Sequence, residues 1–313
     1  MRNLNYIKGI LFSISSLLLI SIEPIIANSR PSEIDAYLYA MMTVIYEAII
    51  FFPLFLIERH KIKATIMTNP PKSEENYLLL NGWKKHKNFL IYLGINFAVA
   101  QVLFFVAFKL AGAINASLAS QTSIIFGLLF GFLINHEKIS ITQILFSIIL
   151  LFGLTLAVTQ GSFDLLEFNV GVFIMIITTF LWMLAHSLAR PILGKNELSS
   201  IQIVFIRNIL NSIVLFSTYF IFYPIENIFL IFNPINQVFF ILMGIAYSFD
   251  LYCWYKALSF IDVSTATILV SPTPILIAVF ATIILGEIFT VFHLIGAIII
   301  IISIIVIVQK KSR

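Results

Sequence analysis

The chain has 313 residues, of which 60% are hydrophobic and 11% are charged, and its mean hydropathy is +1.03. Soluble proteins carry about 25% charged residues, so this composition excludes a soluble globular domain and indicates a protein that crosses a membrane several times. The net charge of +4 follows the predicted membrane topology, and we do not interpret it as nucleic-acid binding. The single cysteine, Cys253, permits no internal disulfide and matches no metal-ligand spacing.

Apolar runs follow one another along the whole chain. A bilayer core of about 30 Å requires roughly 20 apolar residues per helix. The sequence predicts ten such helices, over residues 6–27, 36–57, 88–110, 113–135, 139–160, 168–190, 199–223, 235–258, 263–285 and 289–308. The first run is too long for a signal-peptide core and no small-residue cleavage site follows it, so we expect it to be retained. The predicted fold class is therefore an all-α polytopic membrane protein.

Basic residues are concentrated in alternate connections between these helices. Most of them lie at the two termini and in the connection over residues 58–87, and only Arg30 and Lys109 fall clearly on the opposite side. By the positive-inside rule, this bias predicts a plasma-membrane protein with both termini in the cytoplasm. The 58–87 connection is the only sizeable soluble piece, and we expect this basic loop to lie on anionic headgroups.

Two stretches of the chain indicate an internal repeat. Phe105–Glu137 aligns without a gap on Tyr255–Glu287, and the charged and turn positions keep register. The sequence thus predicts two copies of one membrane unit, residues 1–160 and 161–313. Because each copy has an odd number of helices, the second has the opposite orientation in the membrane, as in secondary transporters built from inverted repeats.

The second stretch resembles a known family. The resemblance rests on three features: Ala257-Leu258 before a tight turn, Pro274 in a helix rich in small residues, and Gly286-Glu287 at its end. This pattern resembles the EamA-type branch of the drug/metabolite transporter superfamily. The first copy departs from it, with Ile124 where Pro274 stands and His136 where Gly286 stands. The resemblance implies ten helices in two inverted five-helix halves around a central substrate cavity.

Four ionisable residues fall inside predicted helices: Glu23, Glu47, Arg207 and Asp250. Such residues are expensive in a bilayer, and transmembrane carboxylates usually face a water-filled path. Glu23 precedes Pro24, which frees a carbonyl and opens helix 1 locally. The resemblance puts this part of helix 1 at the cavity, and we interpret Glu23 as a cavity residue. The alternative is an acid near enough to the surface to be solvated.

Asp250 and Arg207 lie at matching depth, each about 12 Å from a helix end. They are either a structural ion pair, or Asp250 shares the cavity with Tyr247 and Trp254, which lie on its helix face. Both interpretations stay open. Glu47 is the counterpart of Arg207 in the first copy, and this charge reversal could create an ion pair between the halves. We favour a structural role for it.

The remaining candidates come from polar or irregular positions within helices. Further candidates for substrate or ion binding are Trp182, His186, Asn96, Gln101, Asn115 and Gln121. Pro272 and Pro274 break the hydrogen-bond ladder of helix 9, which makes this helix a candidate gating wall. Glu137 and Glu287 each end a helix where a carboxylate can accept hydrogen bonds from exposed N–H groups, so we expect them to be structural.

The sequence contains no Gly-rich phosphate loop, no paired metal-binding histidines and no GxSxG, so we expect neither an enzyme nor a bound metal or cofactor. We predict a secondary active transporter or exporter of a small organic metabolite, an amino acid or a cationic compound, working by alternating access. Three intramembrane acids against one base make the proton a candidate coupling ion.

Two other functions stay open. A nucleotide-sugar or phosphorylated-metabolite exchanger needs cations, which only Arg207, Lys256 and Lys109 could supply. A non-transporting scaffold or lipid-binding protein would have a dry interior, against which the polar faces of helices 3 and 4 argue. The expected partners are a small-molecule substrate and the lipid bilayer. Oligomeric state, substrate identity and transport direction stay open.

Overall fold

The computed structural model describes residues 2–68, 73–136, 139–163, 169–223, 225–270 and 272–309. These residues are almost entirely helical and contain no strand. The helices are α1 (Arg2–Ser29), α2 (Ala36–Thr68), α3 (Ser73–Lys85), α4 (Lys87–Ser120), α5 (Ser123–Asn135), α6 (Ile141–Val158), α7 (Val170–Gly194), α8 (Ser200–Phe222), α9 (Pro234–Leu258), α10 (Val263–Leu269), α11 (Thr273–Phe280) and α12 (Val291–Gln309). A 3-10 segment, Ile225–Phe232, precedes α9, and a π-helical turn, Ala281–Leu285, continues α11.

The membrane-crossing segments agree with the predicted architecture. Within the described residues, seven helices are long and apolar enough to cross a membrane: α1, α2, α4, α6, α7, α8 and α9. Shorter apolar segments over 123–135, 273–285 and 291–306 complete the set. Because α4 continues past a kink at Gly112 (φ 76°, ψ 170°) into the next segment, the described helices form ten crossings. The predicted all-α polytopic fold is confirmed.

The fourth crossing of each half is discontinuous, and for the first half this corrects our prediction. We expected an unbroken helix over residues 113–135, but α4 ends at Ser120 and α5 begins at Ser123. No proline causes this break. The hydroxyls of Ser117, Ser120 and Thr122 each donate to the carbonyl three residues earlier, which competes with the helical ladder. In the second half the break lies between Leu269 and Thr273, beside Pro272 and Pro274.

The two halves pack against each other through equivalent helices. Helix α1 packs on α9 and α4 on α7, which are equivalent pairs, while α2 meets α8 and α6 meets α12. Two glycines permit equivalent close contacts. A Cβ on Gly9 would lie 2.6 Å from the side chain of Ile261, and a Cβ on Gly171 would lie 2.6 Å from the backbone nitrogen of Ala111. Each half therefore places the start of its first helix against the turn of the other half.

The described part of the connection over residues 58–87 is largely helical, whereas we predicted a loop. Helix α2 runs beyond residue 57 to Thr68, and α3 occupies much of the rest. Gln202 Nε2 donates to the Leu79 carbonyl at 3.1 Å, and Lys85 Nζ pairs with Glu197 at 2.7 Å, so residues of the second half hold α3 and the residues next to it. We call the face of the molecule that carries α3 the α3 side, and the opposite face the far side.

Candidate functional site

A central cavity lies between α1, α4, α5, α7, α9 and the two halves of the ninth crossing. It encloses about 760 Å³ of space not filled by atoms, including the part open to solvent. The lining residues are Ser16, Ile20, Glu23, Phe97, Ser120, Gln121, Ser123, Thr179, Trp182, Met183, His186, Tyr247, Asp250, Leu251, Trp254, Thr267, Val270 and Thr273.

Two carboxylates from different halves face this cavity. Glu23 of α1 is 1% exposed, and its Oε1 has no hydrogen-bond partner among the described residues. Asp250 of α9 is also buried, and its Oδ1 accepts a hydrogen bond from the Ser16 hydroxyl, which joins α1 to α9. A buried polar atom without a partner is costly, so the free oxygen of Glu23 indicates a place for a donor from water or a ligand.

Unpaired donors line the same cavity. The indole nitrogens of Trp182 and Trp254 and Nδ1 of His186 are buried and have no hydrogen-bond partner in the described part of the chain. The His186 ring is surrounded by other rings, with centroids 5.7 Å from Phe97, 5.4 Å from Trp254 and 5.4 Å from Tyr255. The cavity therefore offers both an unused acceptor and unused donors to a small polar molecule.

Glu23 and His186 lie at different depths in the cavity. Glu23 is six residues before Ser29, where α1 ends on the far side, which corresponds to about 9 Å along the helix. His186 is eight residues before Gly194, where α7 ends on the α3 side, or about 12 Å. A molecule with a cationic and an anionic end could thus be oriented along the membrane normal.

The two broken helices supply hydroxyl, amide and backbone groups to the cavity wall. Ser120, Gln121 and Ser123 lie at the break in the first half, and Thr267 and Thr273 lie on either side of the break in the second. Irregular backbone at membrane depth is tolerated where it lines a cavity, and half-helix ends there present free N–H and C=O groups. Helix α1, in contrast, continues through Pro24 to Ser29.

The other two intramembrane charges form an ion pair outside the cavity. Arg207 Nη2 lies 3.2 Å from Glu47 Oε2, and both side chains are fully buried between α2 and α8. Gln101 donates to Glu47 at 2.9 Å, and Asn208 accepts from Arg207 Nε at 2.9 Å. The guanidinium also lies 4.2 Å from the ring centroid of Phe97, which separates the pair from the cavity. Arg207 therefore pairs with Glu47, and Asp250 faces the cavity.

Three predicted binding candidates lie elsewhere. Asn96 donates to the Leu181 carbonyl at 2.9 Å, and Gln101 belongs to the buried pair described above. Asn115 lies 3.2 Å from His293 near the far side. These three amides form hydrogen bonds between helices and do not line the cavity. Such bonds spare a polar side chain from being unsatisfied in the membrane.

Of the two acids that match the family pattern, Glu137 and Glu287, the structure describes only Glu287. The carboxylate of Glu287 accepts the backbone N–H groups of Ala113 at 2.7 Å and Ile114 at 3.0 Å. The Glu287 carboxylate therefore caps the N-terminus of the fourth crossing, which belongs to the other half. It does not cap the helix that follows it in the chain. Glu137 lies outside the described residues.

Several cavity residues were not among our candidates. Ser16, Phe97, Thr179, Thr267 and Thr273 all line the wall. Small hydroxyl residues within apolar helices are a weak signal, because their side chains can also bond to their own backbone, as Thr267 does to the Val263 carbonyl at 2.7 Å. In the described part of the chain, no group of three or more His, Cys, Asp or Glu side chains could hold a metal ion.

Comparisons with known proteins agree with this architecture. The EamA-like transporter family matches residues 7–159 and 169–309, once in each half. A protein of Methanothermobacter thermautotrophicus, described as an uncharacterized transporter, is 24% identical over 179 residues, covering 55% of this chain and 49% of the relative. The chain thus spans about half the length of the curated relative it matches.

A solved crystal structure shares the fold. It covers 97% of this chain and 98% of its own chain with a TM-score of 0.65, at 13% sequence identity, which shows the fold alone. The family match extends over most of the sequence and over both halves. The chain therefore belongs to the EamA-like transporter family, and it is a multi-pass membrane protein of the drug/metabolite transporter superfamily.

Proposed function

We propose that this protein is a secondary active transporter that moves a small organic metabolite with a positively charged group, an amino acid or a cationic compound, through the central cavity. The observation that carries this proposal is the pair of buried carboxylates. Glu23 and Asp250 face one cavity, and the described lining contains no lysine or arginine. The net charge of such a wall favours a cation or the ammonium group of a zwitterion.

The unused donors support a substrate that also carries an acceptor. The indole groups of Trp182 and Trp254 and the imidazole of His186 can donate to a carboxylate or hydroxyl. Aromatic faces near the two acids can also hold an ammonium group by cation–π attraction. These features favour an amino acid over a simple apolar amine.

Alternating access would arise from movement of one half against the other about the fixed cavity. The rings of Phe97, His186, Trp254 and Tyr255 form a cluster that would close the cavity toward the α3 side, which we assign to the cytoplasm. The breaks between α4 and α5 and between α10 and α11 would let the fourth and ninth crossings bend as gates. A proton bound by Glu23 or Asp250 in place of the substrate would couple transport to the proton gradient of the plasma membrane.

A phosphorylated substrate has less support. Arg207, the cation that would be available at mid-membrane, is bound to Glu47 and is separated from the cavity by Phe97. Phosphate recognition usually relies on arginine or lysine side chains that reach the ligand. We therefore rank an exchanger of nucleotide sugars or phosphorylated metabolites below a transporter of amino acids or cations.

The test is a solid-supported-membrane recording from purified protein in liposomes, challenged with pools of amino acids, amines and phosphorylated metabolites. We expect a current with amino acids or amines that is lost in Glu23→Gln and in Asp250→Asn. Glu226→Gln is the matched control, because Glu226 is exposed and lies outside the cavity. Currents that persist in both cavity variants would contradict the assigned role of the acids.

A silent recording is followed by radiotracer counterflow, which detects electroneutral exchange. Counterflow of an amino acid or amine that is lost in the cavity variants supports the proposal. No flux in either assay, in protein that is monodisperse and folded, would contradict it.

A further inference from the structure

A second pocket lies on the far side, between the α1–α2 connection and the turn at Gly112. It is lined by Ala27, Asn28, Arg30, Pro31, Ser32, Ile34, Phe108, Lys109 and Gly112. Arg30 and Lys109 are the two basic residues that the sequence analysis assigned to this side, far apart in the chain. The structure brings both exceptions to the charge bias together in one pocket, although positive charge is generally depleted on that side.

The inverted repeat supplies a comparison for this pocket. The shift that aligns Phe105–Glu137 with Tyr255–Glu287 puts Gly112 at the position of Asp262. On the α3 side, Asp262 pairs with Arg190 at 3.2 Å. Aligning the contact glycines Gly9 and Gly171 puts Arg190 at the position of Asn28, two residues before Arg30. The second half therefore has a cation and a carboxylate at these two positions, whereas the first half has Asn28 and Gly112 there, with Arg30 and Lys109 in the same pocket.

Arg30 is held in position and lacks a carboxylate partner. Its Nε donates to the Ile34 carbonyl at 3.2 Å, its Nη1 donates to the Ala27 carbonyl, and the guanidinium lies 5.1 Å from the Tyr39 ring centroid. Desolvation by partial burial lowers the pKa of Arg30, although the charges of Tyr39 and Asp35 oppose this effect. Neither Arg30 nor Lys109 forms an ion pair within 4 Å with any carboxylate of the described residues.

Nearby carboxylates are only partly engaged elsewhere: the buried Oδ2 of Asp35 has no hydrogen-bond partner among the described residues, and the charge of Asp35 raises the pKa of Arg30. Asp35 Oδ1 accepts the N–H groups of Tyr37 at 2.7 Å and Leu38 at 2.9 Å at the start of α2. Glu33 accepts from Asn236 at 3.2 Å. Glu287 lies behind Gly112 and accepts two backbone N–H groups of the fourth crossing. Among the described residues, Arg30 and Lys109 are thus left without a carboxylate at ion-pair distance.

We propose that this far-side pocket is an anion-binding site in which Arg30 and Lys109 hold a carboxylate or phosphate group. The bound group takes the place that the Asp262 carboxylate holds in the other repeat. Arginine and lysine are the usual ligands of such groups, and the guanidinium offers a planar set of donors. The anion is either a soluble molecule or the headgroup of a lipid, since the pocket lies at the membrane surface. This site is separate from the central cavity, and the proposal does not depend on transport.

The experiment uses the full chain in nanodiscs of phosphatidylcholine, with inorganic phosphate as the probe. The thermal unfolding midpoint, followed by tryptophan fluorescence, is measured against phosphate concentration, because a ligand that binds the folded state raises it. We expect a saturable rise for the wild type and an apparent affinity weakened at least about tenfold in Arg30→Gln and in Lys109→Gln, the effect of losing charge-assisted hydrogen bonds. Lys195→Gln, an exposed lysine of the α3 side, is the matched control and should bind phosphate normally.

A third variant fills the site from within. Asn28→Asp introduces a carboxylate into the lining of the pocket, where it should pair with Arg30 and weaken phosphate binding without removing any cation. A midpoint that does not respond to phosphate in wild-type protein, or that responds equally in all variants, would overturn the proposal.

Nanodiscs containing phosphatidylglycerol distinguish the two sources of the anion. Weaker phosphate binding in these nanodiscs than in phosphatidylcholine, with no such difference in Lys109→Gln, assigns the site to a lipid headgroup. Equal binding in both lipids assigns it to a soluble anion.

Discussion

The buried ion pair between α2 and α8 allows a prediction of definite size. Replacing Arg207 by methionine would remove the cation that pairs with Glu47, at a place where both side chains are fully buried. Removing one partner of a buried pair destabilises a protein by about 3–5 kcal/mol, because the remaining charge is uncompensated. The hydrogen bond from Gln101 to Glu47 stays, which argues for the lower half of this range. Loss of the contact between the guanidinium and the Phe97 ring increases the destabilisation by about 0.5–2 kcal/mol. Together these two contributions give an expected loss of about 3.5–6 kcal/mol for Arg207→Met.

The double variant Glu47→Gln with Arg207→Met removes both charges. A neutral pair of similar volume is often as stable as the ion pair it replaces, so we expect most of the lost stability to return. The double-mutant cycle should give a coupling energy of about 2–3 kcal/mol. Arg190→Met is the control, since it breaks the ion pair with Asp262. The Arg190 side chain is 24% exposed and the Asp262 side chain is 57% exposed. Such an exposed pair contributes about 0–1 kcal/mol.

The assay is unfolding of the purified protein by dodecyl sulfate in mixed micelles, followed by tryptophan fluorescence. Two of the three tryptophans, Trp182 and Trp254, line the central cavity and should report loss of packing between the halves. The reasoning would be refuted if Arg207→Met were within about 1 kcal/mol of the wild type, the range of surface pairs. It would also be refuted if the double variant were no more stable than Arg207→Met.

Two further predictions concern a helix contact and a surface ion pair. A Cβ at Gly171 would lie 2.6 Å from the backbone nitrogen of Ala111, whereas a Cβ at Gly9 meets a side chain that can move. We therefore expect Gly171→Ala to lower the free energy of unfolding in micelles by about 1–3 kcal/mol and Gly9→Ala to lower it less, and equal losses would contradict this. The hydrogen bond from Lys85 lowers the pKa of Glu197 from its usual 4.5, so the stabilising contribution of this carboxylate is present above that pH and is lost as pH falls through the lowered pKa. On acidification below pH 4.5 the thermal midpoint of the wild type should fall further than that of Glu197→Gln, and parallel curves would contradict the assignment.

The sequence was sufficient for the membrane-crossing architecture because hydropathy measures transfer into lipid directly. Ten apolar runs and the register between the two halves predicted the fold. The cost of burying charge also drew attention to Glu23 and Asp250, which both face the cavity. These inferences depend on composition and spacing along the chain, and neither requires knowledge of how a helix is rotated about its axis.

Rotation is what the sequence could not provide. In a soluble helix the apolar stripe marks the packed face, but lipid is as apolar as a protein core, so a membrane helix such as α4 carries no such stripe. Asn96 and Gln101 were therefore assigned to the cavity from their residue type, although they bond to α7, α2 and α8 instead. The break at Gln121 and Thr122 was missed for a related reason. No proline marks it, and the hydroxyl-to-backbone bonds that favour it depend on the folded conformation.

The inverted repeat separates what the fold needs from what the site needs. The shift that aligns Phe105–Glu137 with Tyr255–Glu287 puts Asp250 at the position of Ala100, and the alignment of Gly9 with Gly171 puts Glu23 at that of Ala185. Both alanines are fully buried. The same helical scaffold therefore packs well in one half with alanine where the other half carries a carboxylate. The contact glycines Gly9 and Gly171, by contrast, recur at equivalent positions. The two cavity acids do not recur, and each carries a burial penalty, which supports the proposal that they serve the molecule that enters the cavity.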